Sequence, residues 1–161
     1  MSTNVSCNEA IDKAVESFAH LAEKKGVKIQ VIKPQQDIII QSDGVRVKEI
    51  VANLFENAAK YTNEGQVTIG YEDLGNKVKF FVKDTGIGIP KDEIPKLGQE
   101  EYYKVDKYLQ SSSNEKLPLT RPDGTGLGIF VIRHLVNLLK GELIVNSESG
   151  KGSQFFIILP K

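Results

Sequence analysis

DGTGLGIFVIRHLVNLLKG, Asp123 to Gly141, runs a glycine-rich loop into an apolar-periodic segment with Leu127, Phe130, Val131, His134, Leu135 and Leu138 as its stripe. Glycine lacks a Cβ and lets backbone approach a ligand closely. A helix opening from such a loop presents unpaired N–H groups and the positive end of its dipole, which is the chemistry that holds phosphate. The expected helix spans Leu127 to Lys140, and Gly141 is its stop. Two strands follow, Glu142 to Ser147 and Ser153 to Leu159, joined through the turn ESGKG.

Upstream, DTGIGIP at Asp84 to Pro90 is a second glycine turn, delivered by a strand at Lys77 to Lys83 that pairs in a hairpin with Gln66 to Tyr71. A short carboxylate at a strand end can accept a hydrogen bond from an exocyclic amine, and spaced glycines let a flat base lie against backbone. Taken alone the same residues make an ordinary β-turn. Before them, Asp43 caps a helix to Tyr61 with Val47, Ile50, Val51, Leu54, Phe55, Ala58 and Ala59 on its buried side. Asn53 and Asn57 stack one turn apart beside that stripe. Their neutral oxygens suit a magnesium ion that draws its other ligands from water and phosphate, although a helical asparagine is more often solvated or bonded to nearby backbone.

The chain opens with a helix capped by Ser6 or Asn8, with Ala10, Ile11, Ala14, Val15, Phe18 and Leu21 as its apolar side and an end near Lys24 to Gly26. Val27 to Ile32 alternates as a strand, and Asp37 to Gln41, with three isoleucines in a row, reads as a strand buried on both faces. Residues 91–122 are the least regular part and read as a mobile lid, because long irregular stretches beside a glycine turn tend to be functional.

With 161 residues and 40% hydrophobic content, one core and one domain are expected. Lysine plus arginine and aspartate plus glutamate each total 21, so no overall basic field argues for nucleic acid. The single Cys7 excludes an intrachain disulfide framework and fits a reducing, cytoplasmic setting. No stretch approaches the ~18 apolar residues of a membrane span.

NLFENAAKYT, DTGIGIP and GTGLGIFVIRHLVNLLKGELIVNSESGKGSQFFIILP, in that order, resemble the ATP-binding catalytic domain of sensor histidine kinases, within the gyrase-like ATPase superfamily. The resemblance covers nearly the whole chain. It implies an α/β two-layer sandwich, a mixed sheet of about five strands covered on one face by three helices, with a mobile ATP lid at about 91–122. The implied ligands are ATP or ADP with magnesium. Asn57 would hold the metal with Asn53 close by, Lys60 would reach phosphate, Tyr61 would pack on base or sugar, and Asp84 would take the adenine amino group. Gly86, Gly88 and Ile89 would shape the adenine end. Gly124, Thr125, Gly126, Leu127 and Gly128 would face the phosphates. Arg121 and Lys116 are candidate lid cations for the γ-phosphate, Arg121 being preferred, although exposed lid charges are more often simply solvated.

Relatives that activate water carry glutamate at the position of Asn53, and an amide cannot accept a proton as a general base. The chain is therefore expected to hydrolyse ATP poorly and to present its γ-phosphoryl group to an external nucleophile. Histidine kinases place that nucleophile on a helical hairpin, as a histidine followed by Glu or Asp. His20 in FAHLAEKK and His134 in VIRHLVN do not fit, so both are read as structural and the acceptor and dimerisation domain is expected to precede residue 1. The implied partners are that domain and a downstream response-regulator receiver, with no nucleic acid and no direct membrane contact. The lid segment GQEEYYKVD departs from the family pattern, with Gln99 where an aromatic is usual and Tyr102 at the second aromatic place. That departure leaves open a nucleotide-gated interaction module that binds ADP or ATP without transfer; a serine kinase of the same superfamily fits the motifs too.

Overall fold

A computed structural model describes residues 2–85, 126–148 and 151–161. In chain order the elements are β1 (Thr3–Ser6), α1 (Cys7–Glu23), β2 (Lys28–Ile32), β3 (Ile39–Ser42), α2 (Gly44–Tyr61), β4 (Gln66–Asp73), β5 (Lys77–Asp84), α3 (Gly126–Leu138), β6 (Glu142–Glu148) and β7 (Gly152–Pro160).

Alternation builds the main sheet. Five strands lie in the order β2-β4-β5-β7-β6, with β2 parallel to β4 and the other pairs antiparallel. Val67, Ile69 and Tyr71 of β4, Val78, Phe80 and Val82 of β5, and Phe155, Ile157 and Leu159 of β7 all point to one buried face. The helices cover that face, as a period of two against a period of 3.6 requires. The result is the expected two-layer α/β sandwich with three helices on a five-stranded mixed sheet.

On the other face, Gly70, Phe81 and Phe156 form one cross-strand row. A Cβ on Gly70 would collide with the Phe81 ring and the Ile32 carbonyl, so the glycine makes room for the aromatic. Lys83 lies 5.2 Å from the Phe81 ring centre and Lys79 lies 5.1 Å from that of Phe156. Their stems shield apolar rings that the helices do not reach.

The apolar stripe read on α2 is buried at every one of its positions. Asp43 caps the helix, accepting from Arg46 N at 3.3 Å. On α1, Ser6 is the cap and accepts from Glu9 N, while Ala10, Ile11 and Ala14 are fully buried. Cys7 is buried there too, and burial pushes its thiol up to about 12, which makes it a packing residue rather than a nucleophile.

Three readings need correction. Residues 3–6 form a strand, β1, that composition concealed, and it pairs antiparallel with β3 in a separate two-stranded ribbon. Asp37 to Gln41 is therefore no doubly buried strand: Ile40 is 1% exposed but Ile39 is 50% exposed. The stripe assigned to the last helix is also partly out of phase, with Leu135 buried as read but Val131, His134 and Leu138 not. Ile132, Leu135 and Val136 are its buried residues. That segment is apolar nearly all round, so its periodicity leaves the inward face undetermined. The side chains of Leu127 and Phe130 lie outside the described residues.

The ribbon and the start of α1 are tied to the sheet by a polar lock. Asp37 accepts from Ser6 Oγ at 2.5 Å and from Asn8 N at 2.9 Å. Tyr71 on β4 donates its hydroxyl to Asn8 Oδ1 and accepts from Ile38 N at 3.2 Å. Burial, the largest influence, pushes the Asp37 carboxyl upward, but hydrogen bonds from Ser6, Asn8 and Tyr71 bring it out below the usual carboxylate range.

Candidate functional site

Asn57 and Asp84 are two of the few buried polar residues, 9% and 7% exposed. Asn57 lies in the last turns of α2, beside the buried stripe, and Asp84 is the final residue of β5, on the face that the helices cover. An element that packs and an element that ends thus bring an amide and a carboxylate to the same end of the sandwich.

The α2–β4 junction is held tightly against the end of β5. Thr85 Oγ1 donates to Glu64 O at 2.9 Å and accepts from Gln66 N at 3.1 Å, while Thr85 N donates to Gln66 O at 3.3 Å. Gly65 turns at φ 95°, and a Cβ there would collide with the Thr85 hydroxyl. The threonine of DTG therefore fixes the spacing between the end of α2 and Asp84.

Register adds a residue that sequence reasoning missed. Ser153 stands opposite Asp84 in the β5–β7 ladder and is 2% exposed. Gly152 before it has φ 115°, and a Cβ on it would collide with the Asp84 carbonyl. A GS dipeptide after a turn looks like more turn, and only the pairing identifies it. Thr62, also unremarked from sequence, is fully buried, and its Oγ1 finds no hydrogen-bond partner among the described residues.

The other site residues on α2 are placed as follows. Asn53 donates Nδ2 to Glu49 O at 2.9 Å, the backbone bond that a helical asparagine commonly makes, so only its oxygen could serve a metal. Lys60 pairs with Glu56 at 3.3 Å, which sets a competing carboxylate beside the ammonium expected to reach phosphate. Tyr61 is 6% exposed, at the end of α2. Gly126, Leu127 and Gly128 form the first turn of α3, which begins at Gly126 as the loop-to-helix reading requires. Gly86, Gly88, Ile89, Arg121, Gly124 and Thr125, and the lid at 91–122, lie outside the described residues.

The donor set fits a nucleotide with a hard cation. Asn57 offers a neutral oxygen, and no cluster of His, Cys, Asp and Glu among the described residues forms a self-sufficient metal cage. Among the described residues, cavities of about 340 Å³ and 510 Å³ lie beside the first turn of α2, the end remote from Asn57. No helix among the described residues is long and apolar enough to cross a membrane.

Comparison with known proteins shows the family and the fold. The model of the family described as histidine kinase-, DNA gyrase B- and HSP90-like ATPase matches residues 42–161. The aerobic respiration control sensor protein ArcB of Escherichia coli is 38% identical over 141 residues, which is 86% of this chain and 17% of ArcB. The histidine protein kinase DivJ of Caulobacter vibrioides is 30% identical over 153 residues, 94% of this chain and 24% of DivJ. The crystal structure of full-length ShkA in complex with AMPPNP superposes with a TM-score of 0.78 at 25% identity, covering 99% of this chain and 31% of ShkA. The chain thus spans less than a quarter of ArcB and of DivJ.

Proposed function

The chain belongs to the histidine kinase-, DNA gyrase B- and HSP90-like ATPase family, and from that premise we propose that it binds MgATP and donates the γ-phosphoryl group to a histidine on a separate dimerisation domain. The observation that carries this reading is the buried carboxylate of Asp84, set at a strand end opposite Ser153 and held at fixed spacing from the Asn-bearing turn of α2. That carboxylate accepts from the adenine amino group, and the Ser153 hydroxyl beside it completes the polar end of the base pocket.

Asn57, with Asn53 one turn earlier, would hold magnesium through amide oxygen, and the ion would neutralise charge on the phosphate oxygens. Lys60 reaches phosphate by leaving Glu56, an exchange between two anions that costs little at a half-exposed site. The first turn of α3 offers backbone N–H groups to the same phosphates. Asn53 cannot take a proton from water, so the site favours transfer over hydrolysis. In the transfer, an imidazole nitrogen of the acceptor forms a bond to the γ-phosphorus. The bond to the β–γ bridging oxygen breaks, and ADP leaves with that electron pair.

Relatives described as a control sensor protein and as a histidine protein kinase support a role in two-component signalling; a response-regulator receiver is the proposed next acceptor, in a proposed cytoplasmic setting. To test the reading, the chain is mixed with γ-labelled ATP and a histidine-bearing helical hairpin. Acid-labile label on the hairpin is the expected result. Acid-stable label would indicate a serine kinase, and bound ATP without transfer would indicate a nucleotide-gated module.

A further inference from the structure

The last carbonyls of a helix have no partners within it, and α2 ends with the residues that matter most to the site. Ala58 O is satisfied by Thr62 N at 3.1 Å. Lys60 O is satisfied from outside the helix: it accepts from Lys25 Nζ at 2.8 Å, in part-buried surroundings.

Lys25 belongs to the turn that closes α1, and that turn is fixed. Gly26 takes φ 76°, Gly26 N donates to Glu23 O at 3.0 Å and Val27 N donates to Ala22 O at 3.1 Å, a closing bond of the kind that ends helices at a left-handed glycine. Since α1 packs along α2, the turn delivers its lysine to the end of the neighbouring helix. Burial first, and the adjacent Lys24 second, hold the Lys25 ammonium below the ordinary lysine range. Such a group gains from a carbonyl at the negative end of a helix dipole.

We propose that Lys25 is a positioning residue for the nucleotide site, a C-cap supplied in trans to the turn that carries Asn57, Lys60 and Tyr61. The inference rests on the nucleotide reading above and deepens it. Below that turn the chain is anchored independently, by Lys28 N on Gly65 O at 3.1 Å and by Thr85 on Glu64 and Gln66. Losing Lys25 therefore loosens the last turn of α2 without releasing β4.

The test compares Lys25→Met, which keeps the aliphatic stem, with Lys25→Arg, which restores a cationic donor. MgADP affinity is measured by calorimetry and amide protection by hydrogen exchange. Lys25→Met should bind MgADP about tenfold more weakly, in keeping with one hydrogen bond from a charged donor. Lys25→Arg should recover most of that loss. The Tyr61 and Thr62 amides should lose protection while those of Ile69 and Phe80 in the sheet keep theirs.

Wild-type MgADP affinity in Lys25→Met, or a loss of protection spread evenly over helices and sheet, overturns the proposal. A native chain that fails to bind MgADP overturns the nucleotide reading and the positioning role with it. The exchange pattern then decides separately whether Lys25 caps α2.

Discussion

Asp84, the last residue of β5, pairs in register with Ser153, the second residue of β7, and both side chains are shielded from water. The two strands are built separately, one from a hairpin and the other at the C-terminal end of the chain. Their meeting places an acceptor beside a hydroxyl at the rim of the sheet, and the proposed preference for an amino-bearing base rests on that pairing.

Asp84→Asn keeps the shape and removes the charged acceptor. Binding of ADP should fall at least tenfold, because a hydrogen bond to a charged group contributes about 1.5–3 kcal/mol, and the preference for ADP over GDP should narrow. The melting temperature should stay within a few degrees of the native value. Calorimetry showing native ADP affinity would remove Asp84 from the site.

Asn57→Ala deletes the amide oxygen assigned to the metal. The native chain should bind ADP more tightly with magnesium than with a chelator, and the variant should lose that difference. An undiminished magnesium effect would move the cation elsewhere.

Gly152→Ala puts a Cβ into the Asp84 carbonyl at a backbone conformation that side chains rarely adopt. The expected cost is about 2–4 kcal/mol, a melting temperature lower by roughly 5–15 °C in a chain of this size, together with loss of nucleotide binding. Thermal unfolding by circular dichroism measures it, and an unchanged melting temperature would refute the close approach.

Asp37→Asn tests the polar lock through pH. A carboxylate whose pKa is lower folded than unfolded stabilises the fold above its unfolded pKa, and that stabilisation is lost as pH falls through the folded value. Asp37 is exposed, so solvent screening discounts the effect, and the variant should be less stable than the native chain by about 0.5 kcal/mol at pH 7, with the difference shrinking below about pH 4. Urea titrations at both pH values provide the comparison, and a constant difference would refute the assignment.

What the sequence disclosed followed from how one-sided each segment is. Seven buried apolar positions of α2 were readable because Lys48, Glu49, Glu56 and Lys60 mark its opposite face, whereas the burial of Asn57 and Tyr61 was not. α3 has no such counter-face: from Ile129 to Leu139 its polar residues are Arg133, His134 and Asn137, and packing alone selects Ile132, Leu135 and Val136 as the inward set. β1 escaped because TNVS is short and polar, and its order depends on β3, far along the chain. At the candidate site, Asn57 and Asp84 were proposed from sequence because each falls in a motif, and the structure adds only that both are buried. Ser153 and Lys25 were not proposed, since one acquires meaning through strand register and the other by reaching a neighbouring helix.

Strands β5 and β7 are adjacent, with Lys77 to Asp84 matched against Pro160 to Ser153, although everything from Thr85 to Gly152 intervenes in the chain. The ladder closes that excursion like a clasp. Doubling the length of a closed loop adds only about 0.6 kcal/mol of closure entropy. A change in the length of chain between Thr85 and Gly152 therefore costs the clasp little, and the register of the sheet does not depend on it.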